Sequence, residues 1–390
     1  MLEPPMYLTI EDLRRAARRR LPRAVFDFID GAAEDERALR GNREALARVR
    51  LAPHVLADVH QIDLSTVVLG RTLSAPLVLG PTGLCGMARP RGEIAAGRAA
   101  AARGVPFVAS CMAAVPLEEI VRDAPGRHWF QVYLWRDRGL VRALLERAAA
   151  AGYEVLVVTV DTPVPGQRER DDRNGATIPP RVTVRNAFDV LRRPRWLLGM
   201  ARGPRIEFAN AAPPSGSGRP FALSQFVGDQ FDPSAGWRDL SWLRDQWSGP
   251  LVVKGILRPD DARRAAEAGA DGIVVSNHGG RQLDDAVAAL DALPAVADAV
   301  GDRVEVLMDG GVRRGGDIVK ALALGARACL VGRPYLYGLG ADGQDGVERC
   351  IEILTTELRR AMALCGITTV SGIGPDVLAP DRSRTATSRD

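Results

Sequence analysis

The segment Ser276-Asn277-His278-Gly279-Gly280-Arg281-Gln282 sets an imidazole three residues ahead of a guanidinium on a glycine-flexed stretch. Histidine is the side chain that exchanges a proton near neutral pH, and arginine binds a carboxylate through two parallel hydrogen bonds. Together they make a base beside a carboxylate anchor. Asp161 is a candidate to stabilise the imidazolium that proton abstraction leaves, and Arg168 a candidate second guanidinium for the same carboxylate. Lys254 interrupts the apolar run Val252-Val253-Lys254-Gly255. A buried ammonium is costly without a partner, so it is expected to face a ligand. Two uses stay open for it: a Schiff-base nucleophile, or a cation fixed against an anionic cofactor ring. Asp309-Gly310-Gly311-Val312-Arg313 and Gly332-Arg333 combine close-approach glycines with two guanidiniums, a pattern suited to phosphate.

These groups need a scaffold that brings them together. Eight short apolar runs recur along the chain: 77–80, 106–110, 129–133, 155–161, 251–255, 272–277, 304–309 and 328–332. Ala-rich amphipathic stretches follow most of them, at 92–103, 140–151, 260–268 and 317–324, and several end in glycine before the next run. Strands flanked by helices form a parallel sheet buried on both faces, which explains the unbroken apolar character. Eight such units predict a closed (β/α)8 barrel rather than a doubly wound open sheet. Each run also ends in polar groups, at Pro81-Thr82-Gly83, Ser110, Gln131 with Tyr133, Thr159 with Asp161, Lys254, Ser276, Asp309 and Gly332. Barrels place their active sites at that end of the strands.

We read the chain as one domain: a helical extension over 1–70, a barrel over 71–366 and a tail over 367–390. Thr9 is the expected N-cap of the first helix. A long insertion at 162–250 carries Pro179-Pro180, Pro194-Arg195-Trp196 and Pro213-Pro214-Ser215-Gly216-Ser217-Gly218, and returns through a helix bearing Trp237, Leu240, Leu243 and Trp247. It leaves the active-site end of a strand, which makes it a candidate lid or partner surface.

The composition suits a soluble α/β enzyme: 390 residues, 46% hydrophobic, 26% charged, with a net charge of +4. The basic excess, including Arg14, Arg15, Arg18, Arg19 and Arg20, lacks the interleaved aromatics of a nucleic-acid module and reads as a solvated helix face. Five scattered cysteines point to reduced thiols, and four histidines show no metal-ligand spacing. With no secretory signature and no apolar stretch of bilayer length, the expected compartment is the cytoplasm.

The motifs Lys254-Gly255, Ser276 to Asp284, Asp309 to Arg313 and Gly332-Arg333, in that order, resemble the FMN-dependent L-2-hydroxy acid oxidases and dehydrogenases. The similarity runs from Leu21 to about Gly366 and is greatest to the mandelate dehydrogenase branch, through Pro81-Thr82-Gly83-Leu84, Arg168 to Asp171 and Pro194-Arg195-Trp196. The resemblance implies FMN lying on Pro81, Thr82 and Gly83, with Ser110, Gln131, Thr159 and Ser276 bonding its ring and ribityl chain. It implies Lys254 beside the flavin N1 and C2 carbonyl, and Asp309, Gly311, Arg313, Gly332 and Arg333 at the ribityl and phosphate. His278 would be the base, Asp161 its partner, Tyr133 a contact to the substrate hydroxyl, and Arg168 with Arg281 the carboxylate clamp.

Where the family has a carboxylate-binding Tyr, this chain has Phe28, a loss of one hydrogen bond or about 1–2 kcal/mol. Either the two arginines suffice for the carboxylate, or Phe28 marks a bulkier, more apolar or atypical substrate. By family comparison, Gly83 favours a dehydrogenase, with quinone, O2 or another carrier as acceptor. Resemblance also implies a homo-oligomer, a tetramer. Arg192, Arg193, Arg195 and Arg202 around Trp196-Leu197-Leu198-Gly199-Met200 admit docking on the inner membrane face. Rival readings are a flavin oxidase of a modified peptide or natural-product intermediate, a Lys254 Schiff-base lyase, and an FMN-binding protein without turnover.

Overall fold

The computed structural model describes residues 7–174, 184–210 and 228–380. All eight apolar runs form parallel strands: β3 (Leu77–Leu79), β4 (Phe107–Ser110), β5 (His128–Tyr133), β6 (Val155–Thr159), β7 (Leu251–Ile256), β8 (Gly272–Val275), β9 (Glu305–Met308) and β10 (Ala328–Val331). They close into a barrel in the order β10-β3-β4-β5-β6-β7-β8-β9. Closure excludes the open sheet, because β10 pairs with β3 through Cys329 to Leu77, Leu330 to Val78 and Val331 to Leu79. The expected helices appear as Gly92–Ala102, Arg138–Ala151, Pro259–Glu267 and Gly315–Ala323.

The first 70 residues are less uniformly helical than the sequence suggests. Helices Ile10–Arg20, Arg23–Asp30 and Arg37–Arg48 give way to extended chain and a hairpin of β1 (Thr66–Val68) and β2 (Arg71–Leu73). The hairpin plugs the N-terminal mouth of the barrel. Its Val68 and Leu73 pack with Val78, Val108 and Val157, and Leu69 N–H donates to the Glu305 carboxylate at 3.0 Å. Three-residue strands of β-branched type are too short to announce themselves by period. The predicted cap holds: Thr9 Oγ1 accepts from Asp12 N–H in a full capping box.

The insertion after β6 contributes helices Glu169–Arg173, Val184–Leu191, Pro194–Arg202 and Trp237–Gln246. In the last of these Leu240 and Leu243 are buried, and the Trp247 indole just beyond donates to Pro250 O at 3.1 Å. The Pro179-Pro180 and Pro213 to Gly218 stretches, and the tail beyond residue 380, lie outside the described residues. All five cysteines are free and buried, and among the described residues no helix is long and apolar enough to cross a membrane.

Candidate active site

The strand register sets the floor of the site. β6 and β7 align Thr159 with Lys254, and β4 and β5 align Ser110 with Gln131. Ser110 Oγ donates to Gln131 Oε1 at 2.7 Å, and Gln131 Nε2 donates to Thr159 Oγ1 at 3.0 Å, so the three form one buried chain. Lys254 Nζ lies 3.0 Å from Asp309 Oδ2 and donates to Ser276 Oγ at 3.0 Å. Burial pushes its pKa down, but Asp309 and then Asp161 outweigh it, and the pKa is raised. A Schiff-base lysine needs a neutral amine, so this pairing counts against the lyase reading.

His278 begins the loop after β8 with φ +56°, a left-handed conformation that costs a non-glycine residue about 1 kcal/mol. Its backbone N–H donates to Ser276 Oγ at 3.0 Å, and its Nδ1 lies 2.8 Å from Asp161 Oδ1. Asp161 is buried. Burial would raise its pKa, yet His278 first and Lys254 after it lower it, so the carboxylate stays ionised. Gly255 makes room for it, because a Cβ there would stand 2.7 Å from Asp161 Cβ and Cγ. With Nδ1 engaged, Nε2 is the ring nitrogen available to the cavity.

The outer wall joins the segments just after β8 and β10 to the insertion and the N-terminal segment. Arg281 Nη1 donates to Phe28 O at 2.9 Å and Gly31 O at 3.0 Å. Arg333 donates to Gly279 O at 2.9 Å and Gly31 O at 2.7 Å. The guanidinium carbons of Arg281 and Arg168 lie 5.3 and 5.9 Å from the Phe28 ring centre. Burial, then Arg168 and Arg333, pull the Arg281 pKa down to about 9. It is still cationic at neutral pH, in a cluster that calls for an anion.

The helix carrying Phe28 is tethered through Asp30, which accepts from Arg14 at 2.6 and 2.9 Å, Tyr337 at 2.8 Å and Arg170 at 3.1 Å. Burial would raise the Asp30 pKa, but Arg14 and the other donors hold it at about 2.

One cavity of about 320 Å³ gathers these groups. Pro81, Thr82, Gly83, Ser110, Gln131, Tyr133, Thr159, Arg168 and Phe28 line it, as do Lys254, His278, Arg281, Asp309, Gly311, Arg313, Gly332 and Arg333. Two expected residues lie behind the wall. Asp161 backs His278, and Ser276, expected to bond the flavin, is fully buried and accepts from Lys254.

Sequence reasoning missed Met112, Phe208, Phe231 and Gln282, all of which line the cavity. Gln282 Nε2 donates to Asp161 O and Val164 O, both at 3.0 Å, and its Oε1 accepts from Gly166 N–H at 3.2 Å, pinning the start of the insertion over the histidine loop. Phe231 meets Tyr133 edge-on at 5.7 Å.

The residues fit FMN. Among the described residues, Arg333 Nε and Asp309 Oδ1 are buried without a partner, a donor suited to phosphate and an acceptor suited to a ribityl hydroxyl. A Cβ at Gly83 would stand 3.0 Å from Met112 Cβ, so a larger residue there would crowd the wall.

The sequence profile of a family described as FMN-dependent dehydrogenase matches residues 17–380. An L-lactate dehydrogenase of Caulobacter vibrioides is 48% identical over 373 residues, 94% of this chain and 96% of the relative. An L-lactate dehydrogenase of Alcaligenes faecalis is 45% identical over 372 residues, 94% of this chain and 97% of the relative. Among solved structures, the monotopic membrane protein (S)-mandelate dehydrogenase superposes with a TM-score of 0.92 at 39% identity, covering 97% of this chain and 100% of that one. A mandelate oxidase bound to 3,3-difluoro-2-hydroxy-3-phenylpropionic acid superposes with a TM-score of 0.80 at 40% identity, covering 96% of this chain and 98% of that one.

Proposed function

The chain belongs to the FMN-dependent dehydrogenase family, and from that premise we propose that it oxidises an L-2-hydroxy acid with a bulky apolar side chain to the 2-keto acid. One observation carries the reading: His278, with Asp161 2.8 Å behind its Nδ1, faces the same cavity as Arg168 and Arg281.

When bound, FMN supplies a two-electron acceptor. Pro81, Thr82, Gly83, Ser110, Gln131 and Thr159 would hold its ring, with Lys254 as a fixed positive charge beside it. Asp309, Gly311, Arg313, Gly332 and Arg333 would hold the ribityl chain and phosphate. Arg168 and Arg281 bind the substrate carboxylate and so fix which face of the hydroxyl carbon meets His278. His278 Nε2 takes the proton released as the hydroxyl carbon is oxidised, and the ionised Asp161 stabilises the imidazolium. Tyr133 orients the hydroxyl. Phe28, Met112, Phe208 and Phe231 supply an apolar wall for the side chain.

The purified protein should be yellow and should bleach without oxygen on adding L-mandelate or L-3-phenyllactate, faster than on adding L-lactate or glycolate. Faster bleaching by lactate would overturn the bulky-substrate reading, and a colourless protein would overturn the whole proposal.

We also propose quinone as acceptor, with the enzyme docked peripherally on a membrane. Phe188 and Leu191 are 66% exposed and Leu198 is 52% exposed, on the helices Val184–Leu191 and Pro194–Arg202 with Arg192 and Arg195 among them. A tetramer is proposed from resemblance alone, and light scattering of the holoenzyme tests it.

A further inference from the structure

A second cavity, of about 620 Å³, opens on the other face of the helix Arg23–Asp30, lined by Arg23, Phe26, Asp27 and Asp30 where Phe28 and Ile29 face the active site. Six of its lining side chains are arginines and three are aspartates. The aspartates are largely taken. Asp30 is saturated by Arg14, Tyr337 and Arg170. Asp27 accepts from Asn174 at 2.7 Å, and Asp189 accepts from Arg23 backbone N–H at 2.6 Å.

Three guanidiniums from three elements are left poorly matched. Arg18 has no partner among the described residues, Arg23 reaches Asp27 only at 3.4 Å, and Arg193 reaches Asp189 only at 3.8 Å. Converging arginines short of carboxylates form a site for a phosphate-type anion.

The rim narrows the choice of anion. Asp189 and Arg193 face the cavity, while their chain neighbours Phe188 and Leu191 are exposed and Arg192 stacks on the Phe188 ring at 4.1 Å. Free phosphate would gain nothing from that apolar rim. An amphiphile would use both parts, its charged head in the cavity and its tail region along Phe188 and Leu191.

We propose that this cavity receives the phosphodiester headgroup of an anionic phospholipid and sets how the enzyme seats on the bilayer. This rests on the membrane-docking reading above. It would place the headgroup one helix away from the substrate's carboxylate clamp.

The test is co-sedimentation of FMN-loaded enzyme with vesicles of phosphatidylcholine alone and of phosphatidylcholine mixed with phosphatidylglycerol. Wild type should bind the mixed vesicles more tightly. Arg18→Gln and Arg23→Gln, both at exposed positions, should each weaken that binding about fivefold. Arg71→Gln, on the hairpin at the opposite mouth, should change it less than twofold. Phe188→Asp should weaken binding to both vesicle types.

Equal effects of Arg71→Gln and Arg18→Gln would reduce the site to net charge and overturn the proposal. Unaltered binding by the Arg18 and Arg23 variants, with loss in Phe188→Asp, would overturn the proposal and leave membrane docking standing. Failure of wild type to bind either vesicle would overturn both. Saturable binding of inorganic phosphate, abolished by Arg18→Gln in a protein that ignores vesicles, would give the cavity to a free anion and overturn the lipid assignment.

Discussion

Lys254, buried, and Arg281, half-buried, are cations on one cavity, yet their surroundings treat them oppositely. Lys254 is held charged by Asp309 and Asp161, and its ammonium has a carboxylate and a hydroxyl within 3.0 Å. Arg281 bonds only neutral backbone carbonyls on the Phe28 side, and burial with Arg168 and Arg333 pulls it down to about 9. The floor, built from barrel strands, is complete without a substrate. The outer wall, where Arg281 and Arg333 just after β8 and β10 meet Phe28 of the N-terminal helices and Arg168 of the insertion, is an unfinished set of charges that an anion completes. The floor therefore belongs to the strands and their ends alone, while the substrate wall is shared between the barrel and the appended segments.

Breaking each half should give different symptoms. On the floor, Lys254→Met leaves the largely enclosed Asp309 carboxylate without its cation, so we expect a loss of about 3 kcal/mol in stability of the FMN-free protein, read by urea unfolding. A loss below 1 kcal/mol would mean that the floor is not preassembled. On the wall, Arg281→Met should spare the fold and weaken substrate-analogue binding by about 2–5 kcal/mol. The readout is the spectral change of bound flavin on titration with a 2-keto acid.

The Asp30 tether gives a pH signature. Its carboxylate is held at about 2, below its ordinary value of 3.8, so its stabilisation is fully present above pH 3.8 and is lost as pH falls toward 2. Asp30→Asn should cost about 2 kcal/mol at pH 7, and the gap to wild type should close in acid. A gap that stays constant down to pH 2 would contradict the assignment. The smallest effect sharpens the wall: Phe28→Tyr adds a hydroxyl between two guanidiniums, and should lower KM for a small hydroxy acid by about tenfold, the equivalent of one hydrogen bond to a charged group. No gain in any substrate would mean that the carboxylate is held elsewhere.

The division also explains what was readable in advance. Strand ends are legible because a polar residue closing an apolar run has one natural explanation in a barrel, and Lys254, His278, Asp309 and Arg333 were found that way. Ser276 shows the limit of that signal: a strand-end hydroxyl suggests a ligand contact, and the bond it makes to Lys254 is invisible in the sequence. Contacts between distant parts of the chain left no local trace. Asn42 and Asn277 exchange bonds of 2.8 and 3.0 Å that fix the histidine loop to the N-terminal segment, across 235 positions. Phe231 and Gln282 reach the cavity through similar tertiary packing. The left-handed φ of His278 was equally hidden, since the glycines that follow it advertise flexibility and not the histidine itself.

The central claim is that His278, set by Asp161, is the base that opens the reaction. Stopped-flow bleaching of FMN-loaded enzyme by an L-2-hydroxy acid without oxygen tests it directly. In His278→Gln the maximal bleaching rate should fall by about 10²–10⁴ while 2-keto acid binding, followed by the flavin spectrum, is retained. Bleaching at the wild-type rate in that variant would contradict the account.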